Sequence, residues 1–157
     1  MHVALLIEHL KEFHAKAKTT NFDVLDFVSA FGSPLEALAY SYLFWPDFLE
    51  FEGMIFHQSC IEDEEDRSEI RAALSEFPSR KEVEQSFNQF LVPEAFFSSG
   101  LSTTTDEENI WLAERIAEVW RACLAQLFPH KKCVVEIQST EETGEGPTIV
   151  VYQDLAG

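Results

Sequence analysis

A chain of 157 residues is close to the usual size of one domain and long enough to bury roughly 70% of the surface its unfolded form would expose. It carries 28 acidic against 11 basic residues, a net charge of −17 spread along the whole length, and such a field repels nucleic acid and anionic membranes while attracting basic partners. Its 14 phenylalanines, 3 tryptophans and 3 tyrosines supply enough apolar surface for a core and argue against disorder.

The first eight residues, Met1 to Glu8, lack a basic segment, and their apolar run breaks at Glu8, so they do not read as a secretory signal. From Val3 to about Ala17, the residues Val3, Leu6, Leu10 and Phe13 recur at helical spacing and predict an amphipathic helix. Phe22, Leu25, Val28 and Phe31 predict a short second helix ended by Gly32 in a left-handed conformation. Ser33-Pro34-Leu35-Glu36 combines an N-cap serine, a first-turn proline and a capping-box glutamate, which predicts a helix from there to about Trp45, stopped before Pro46.

Phe48 to His57 alternates as a strand does, with Gly53 marking either a bulge or a hairpin turn; one bent strand is the expectation. The acidic run Glu62 to Asp66 opens a helix carried by Ile70, Leu74 and Phe77, where its charge complements the helix dipole. Pro78 ends that helix, and Ser79-Arg80-Lys81-Glu82 starts another with Val83, Phe87, Phe90 and Leu91 inward.

After a connection from Pro93 to Thr104, Thr105 caps the longest helix, whose stripe is Ile110, Ala113, Ile116, Ala117, Trp120, Cys123, Leu124 and Leu127. Lys132 to Gln138 and Thr148 to Gln153 then predict a C-terminal β-hairpin across the acidic loop Thr140 to Pro147. The expected fold is α+β: five or six helices packed on a small, mainly antiparallel sheet of about three strands, in a single domain over residues 1–157.

No apolar stretch approaches the ~18 residues needed to span a bilayer. Three cysteines form no disulfide framework, which points to reduced thiols and a cytoplasmic location. His57-x-x-Cys60 and His130-x-x-Cys133 repeat a pattern that supplies four nitrogen and sulfur ligands if the segments meet, or a hydrolytic His–Cys pair. Against this, Cys133 alternates with Val135 and Ile137 as a small buried hydrophobe would, and Cys123 lies on the apolar stripe of the long helix. The histidines His2, His9 and His14 on the first predicted helix suit an exposed surface, and no glycine pattern cradles a phosphate. No catalytic residue, metal ligand or cofactor is therefore assigned.

Two aromatic segments, Phe44 to Phe48 and Pro93 to Phe97, place large rings beside helix ends or loops, either plugging the core or forming a binding surface. In size and charge the chain is similar to the small acidic immunity proteins that neutralise bacterial toxins, a likeness that carries over no residue. The expected function is non-catalytic recognition of a basic protein partner, as an immunity-type inhibitor of a toxin or nuclease, by a monomer or weak dimer. Its expected contacts are Glu62, Asp63, Glu64, Glu65 and Asp66, together with Glu141, Glu142 and Glu145. The alternatives are an enzyme built on the two His-x-x-Cys segments and a self-associating structural subunit.

Overall fold

The computed structural model describes residues 23–95 and 105–154. The amphipathic segment Val3 to Ala17, the histidines His2, His9 and His14, and the aromatic pair Phe96 and Phe97 lie outside the described residues. The chain divides into two compact units, Met1–Ser41 and Tyr42–Gly157.

In the first unit, α1 (Val24–Phe31) is opened by a reciprocal capping box: Asp23 accepts from the Asp26 amide at 2.9 Å while Asp26 accepts from the Asp23 amide at 3.1 Å. Gly32 ends α1 with φ −75° and ψ 151°, an extended conformation, so the left-handed cap expected there is not used. The chain turns straight into α2 (Pro34–Phe44), where Ser33 Oγ accepts from the Glu36 amide as its sequence pattern predicts.

The second unit is α+β. β1 (Phe48–Phe51) and β2 (Met54–His57) form an antiparallel hairpin with Phe51 opposite Met54. This corrects the single bent strand. Glu52 and Gly53 both take positive φ, 51° and 78°, as a two-residue turn matched to strand twist demands. Glutamate is an unusual first residue for that turn, and here its carboxylate is held by Arg71 at 3.2 Å. A β-carbon at Gly53 would also lie 2.8 Å from the Arg80 guanidinium.

After a 3-10 turn, Gln58–Cys60, come α3 (Glu64–Glu76) and α4 (Arg80–Phe87). The periodicity that extended α4 through Phe90 and Leu91 misreads a strand: β3 (Gln89–Leu91) pairs antiparallel with the C-terminal strand. The long α5 (Asp106–Leu127), β4 (Cys133–Gln138), a one-turn α6 (Thr140–Thr143) and β5 (Thr148–Gln153) complete the order. The larger sheet runs β3-β5-β4, so its third strand is β3 and not the segment around Phe51. Among the described residues there are six helices, and none is long and apolar enough to cross a membrane.

β2 is apolar on both faces because both are covered. Ile55, with Phe48, packs in a cluster with Ala113, Ile116, Ala117, Trp120 and Leu124 of α5. Met54 and Phe56 face Ile70 and Ala73 of α3 and Val83 of α4. The α5 stripe is narrower than its sequence suggests: Ile110 and Leu127 remain exposed, while Asn109 is buried.

The two sheets are not paired directly. Beyond the end of β3, the edge of β5 faces the edge of β2 across a gap filled by two buried polar side chains of α4, Glu84 and its C-cap residue Asn88, four positions apart and so on one helix face. Glu84 accepts from the Ile55 amide at 2.7 Å, the Gln153 amide at 2.8 Å and Gln153 Nε2 at 2.7 Å. Asn88 donates through Nδ2 to the Ile55 and Val151 carbonyls, at 2.7 and 3.1 Å, and accepts from the His57 amide at 2.9 Å.

Leaving a buried donor without its acceptor costs about 1–3 kcal/mol. Glu84→Ala strands two backbone amides and a side-chain amide, and should therefore lower unfolding free energy by about 3 kcal/mol or more, with Glu84→Gln costing less because one oxygen remains. Urea unfolding at neutral pH measures this; a loss below about 1 kcal/mol for Glu84→Ala would show that the clamp is dispensable.

Candidate functional site

Two surface grooves collect the polar groups that sequence reading singled out. The first, ≈ 450 Å³, is lined by Gln89 and Leu91 of β3, Glu94, Gln138 at the end of β4, Glu142 and Thr143 of α6, Glu145, and Thr148 of β5. The β4–β5 connection is built to bring these together. Ser139 and Glu142 form a capping box, the carboxylate accepting from the Ser139 amide at 2.7 Å and hydroxyl at 2.9 Å. Gly144 ends α6 at φ 79°, where a side chain would be strained. Thr143 Oγ1 donates to the Gly146 carbonyl at 2.7 Å, and the Val92 amide donates to the Pro147 carbonyl at 3.1 Å. A β-carbon on Gly146 would lie 2.7 Å from Pro93 Cγ, so glycine is what lets the loop close on the Pro93 segment and bring Glu94 into the same groove as Glu142 and Glu145.

Three carboxylates and no basic side chain line this groove. The hydrogen bonds from Ser139, backbone first and then hydroxyl, hold the Glu142 carboxyl below its ordinary range and keep it charged. Of the residues predicted here, Glu142 and Glu145 line the groove. Glu141 is exposed in the first turn of α6 but does not line it. Glu94 lies in the connection that the sequence places after Pro93, and nothing local marks it, because the groove forms only where the β4–β5 loop closes on the Pro93 segment.

The acidic run Glu62 to Asp66 has a different fate. Asp63 caps α3, accepting from the amides of Glu65 and Asp66 at 2.8 and 3.2 Å, and Asp66 accepts from the amides of Glu62 and Asp63 at 2.7 and 3.1 Å. Glu64 pairs with Arg71 at 2.9 Å and approaches Arg67 at 3.9 Å, and both guanidinium groups lie over the Phe51 ring. Structural bonding thus occupies three of the five carboxylates. Glu62 and Glu65 make no side-chain ion pair among the described residues.

Glu62 belongs to the second groove, ≈ 480 Å³, with Tyr42, Pro46, Asp47, His57, Gln58, Ser59 and Ile61. The His57 ring packs edge-on to Phe48 and beside Trp120, at centroid distances of 5.6 and 5.5 Å. Trp120 in turn donates to the Leu43 carbonyl at 2.9 Å. Phe48 is buried and Phe44 half-buried, so much of the first aromatic segment plugs the core, while Trp45 is exposed.

The Ser59 amide donates to His57 Nδ1 at 3.1 Å, which makes Nδ1 the acceptor and places the ring proton on Nε2; the Ser59 hydroxyl, 2.6 Å away, donates to the same nitrogen. Burial pushes the imidazole below its ordinary pKa of 6.5, against a smaller upward pull from Asp47. The ring is therefore neutral at pH 7 and acts as a cap on the 3-10 turn. No carboxylate bonds its other nitrogen among the described residues.

The two His-x-x-Cys segments serve separate places. Cys60 packs against the Met54–Phe56 cluster and donates to the Phe87 carbonyl at 3.2 Å, and burial pushes its thiol up to about 11. Cys133 packs against the opposite cluster, the one containing Trp120, and His130 is exposed. Burial raises the Cys123 and Cys133 thiols as well. Among the described residues, no three His, Cys, Asp or Glu side chains come together to hold a metal ion.

The chain matches no family model, no curated protein and no solved structure.

Two measurements check this site. With its pKa raised from 9.0 to about 11, Cys60 should be alkylated by iodoacetamide near neutral pH on the order of a hundredfold more slowly than an unperturbed thiol; labelling at the free-thiol rate would contradict its packing. For His57 the folded pKa lies below the unfolded one, so the unfolded chain binds the extra proton between them. The stability that the neutral ring contributes is complete above about pH 6.5 and declines as pH falls through that value towards the folded pKa. His57→Gln should remove this component, so unfolding free energies of the two proteins should converge on acidification; parallel curves would place His57 in solvent.

Proposed function

We propose that the protein is a non-catalytic binder of a basic protein partner, an immunity-type inhibitor of a cationic toxin or nuclease working in a reducing cytoplasm, and that the β4–β5 groove takes lysine or arginine side chains of that partner. The observation that carries this reading is the convergence of Glu94, Glu142 and Glu145 on one groove with no basic side chain in its lining. Gln89, Gln138 and Thr143 add neutral hydrogen-bonding groups around the carboxylates, and a guanidinium needs several acceptors at once.

The net charge of −17 supplies long-range attraction and fast encounter, while a pocket of fixed carboxylates supplies register. Glu62 and Glu65, exposed and without an ion pair among the described residues, are a second contact in the same reading. Asp63, Glu64 and Asp66 are not, because contact would compete with the caps and ion pairs that build α3. The unpaired thiols Cys60, Cys123 and Cys133 fit a reducing compartment.

The test is affinity capture from the source lysate on tagged protein at low and high salt, about 50 and 500 mM, spanning Debye lengths from about 14 to 4 Å. It compares the natural chain with the double reversal Glu94→Lys/Glu145→Lys and with the control reversal Glu114→Lys on α5, leaving the capping residue Glu142 intact. A basic protein held at low salt, released at high salt and lost in the double reversal is the expected result. With that partner purified, the double reversal should slow association at least about tenfold and flatten its salt dependence. If the groove reversal, per charge, does no more than the control, net charge alone acts and the groove is not the site.

A further inference from the structure

The 3-10 turn Gln58–Cys60 is capped by a titratable ring. His57 Nδ1 accepts from the Ser59 amide at 3.1 Å and from the Ser59 hydroxyl at 2.6 Å. Around this cap, the Gln58 amide donates to the Asp47 carbonyl at 2.9 Å and the Ile61 amide to the Gln58 carbonyl at 3.1 Å. Gln58, Ser59, Ile61 and Glu62 supply half of the lining of the second groove, so the turn sets that groove's shape.

A proton on Nδ1 converts the acceptor into a donor. The Ser59 hydroxyl can rotate and accept instead, but the amide is fixed by the backbone and is left with one N–H facing another. Either the ring or the turn must move. The ring is held: Phe48 meets it edge-on at 5.6 Å, Trp120 lies beside it at 5.5 Å, and the His57 amide donates to Asn88 at 2.9 Å. Aromatic faces also attract an imidazolium. Gln58 and Ser59 are exposed, so the turn is the part that gives way.

Few charges act on the ring. Asp47, immediately before β1, attracts the imidazolium, and Glu62 and Tyr42 share the groove with it. β1, α5 and the end of α4 present Phe48, Trp120 and Asn88, all uncharged. Burial opposes charging the packed ring more strongly than Asp47 favours it. The open form therefore binds the proton more tightly. Its ratio to the closed form is constant above about pH 6.5 and rises by up to about tenfold per pH unit below that, until the closed ring itself titrates.

We infer that this turn is an acid-operated switch: protonation of His57 at Nδ1 expels the Ser59 amide, opens the turn and dismantles the Gln58–Glu62 wall of the second groove. Loosening of a basic partner bound at Glu62 is a consequence that rests on the function proposed above. The opening itself is a property of the free protein.

Amide hydrogen exchange of the full chain between pH 7.5 and 5, each rate divided by the intrinsic rate at that pH, tests this. Protection at Ser59 and Ile61 should fall about fivefold or more from pH 7 to 5, while the β4–β5 ladder keeps its protection. In His57→Gln, which does not titrate, the response should vanish. In Ser59→Ala it should persist, because the amide and not the hydroxyl meets the new proton. Protection of the turn that is flat across pH overturns the inference. So does a loss in step with the ladder, which is global acid unfolding, or an unchanged response in His57→Gln. The wild-type profile, turn against ladder, decides the matter even if a variant fails to fold. No partner enters the measurement, so the switch and the proposed function stand or fall separately.

Discussion

The second unit depends on two side chains of one short helix. β2 and β5 face each other without backbone pairing, and Glu84 and Asn88 join them with six hydrogen bonds to backbone and side-chain groups on both strands. Both residues are buried, so each unmade bond would leave a polar group without water. The bridge ties Ile55 to Gln153 and His57 to Val151, which makes the strands antiparallel across the wedge. Lys131 adds an outer layer, bonded to Glu50, the Gly53 carbonyl and Gln153.

Fixing β2 there fixes what its two faces carry. One face delivers Ile55, alongside Phe48 of β1, to the cluster around Trp120, and the other delivers Met54 and Phe56 to α3 and α4. Trp120 touches Phe48, His57 and Phe90, three rings from three strands, and donates to the Leu43 carbonyl within the same unit. His57 is thereby a member of the core with one edge at a groove, and its neutral state follows from that packing.

The excess of carboxylates divides into those that hold helices and those left to face outward. Asp23, Asp26, Asp63, Asp66, Glu108 and Glu142 take part in capping boxes at four helix starts, where the dipole and the unpaired amides favour negative charge. Glu84 is consumed in the core. Glu94 and Glu145 have no such task, and the β4–β5 loop collects them beside Glu142. Local charge density in the sequence does not show which acids are already engaged: in the densest run, Glu62 to Asp66, three carboxylates are taken up by caps and ion pairs, whereas the groove joins acids from sequence positions about fifty apart.

Helix starts were legible because their signals are local: Ser33-Pro34, Asp63, Ser79 and Thr105 each satisfy amides within three or four residues of themselves. The long amphipathic α5 and the C-terminal hairpin were legible for the same reason, since periodicity and β-branched runs survive without knowledge of neighbours. What needed tertiary structure was everything set by partners distant in sequence. Gly53 became a turn because Glu52 could be held at positive φ by Arg71, nineteen residues on. Phe90 and Leu91 became a strand because β5 offered an edge, and a three-residue segment has no period of its own. Glu84 reads in sequence as one more surface acid on a polar helix; only the gap between two sheets, which the fold alone creates, makes a buried carboxylate the group that binds them.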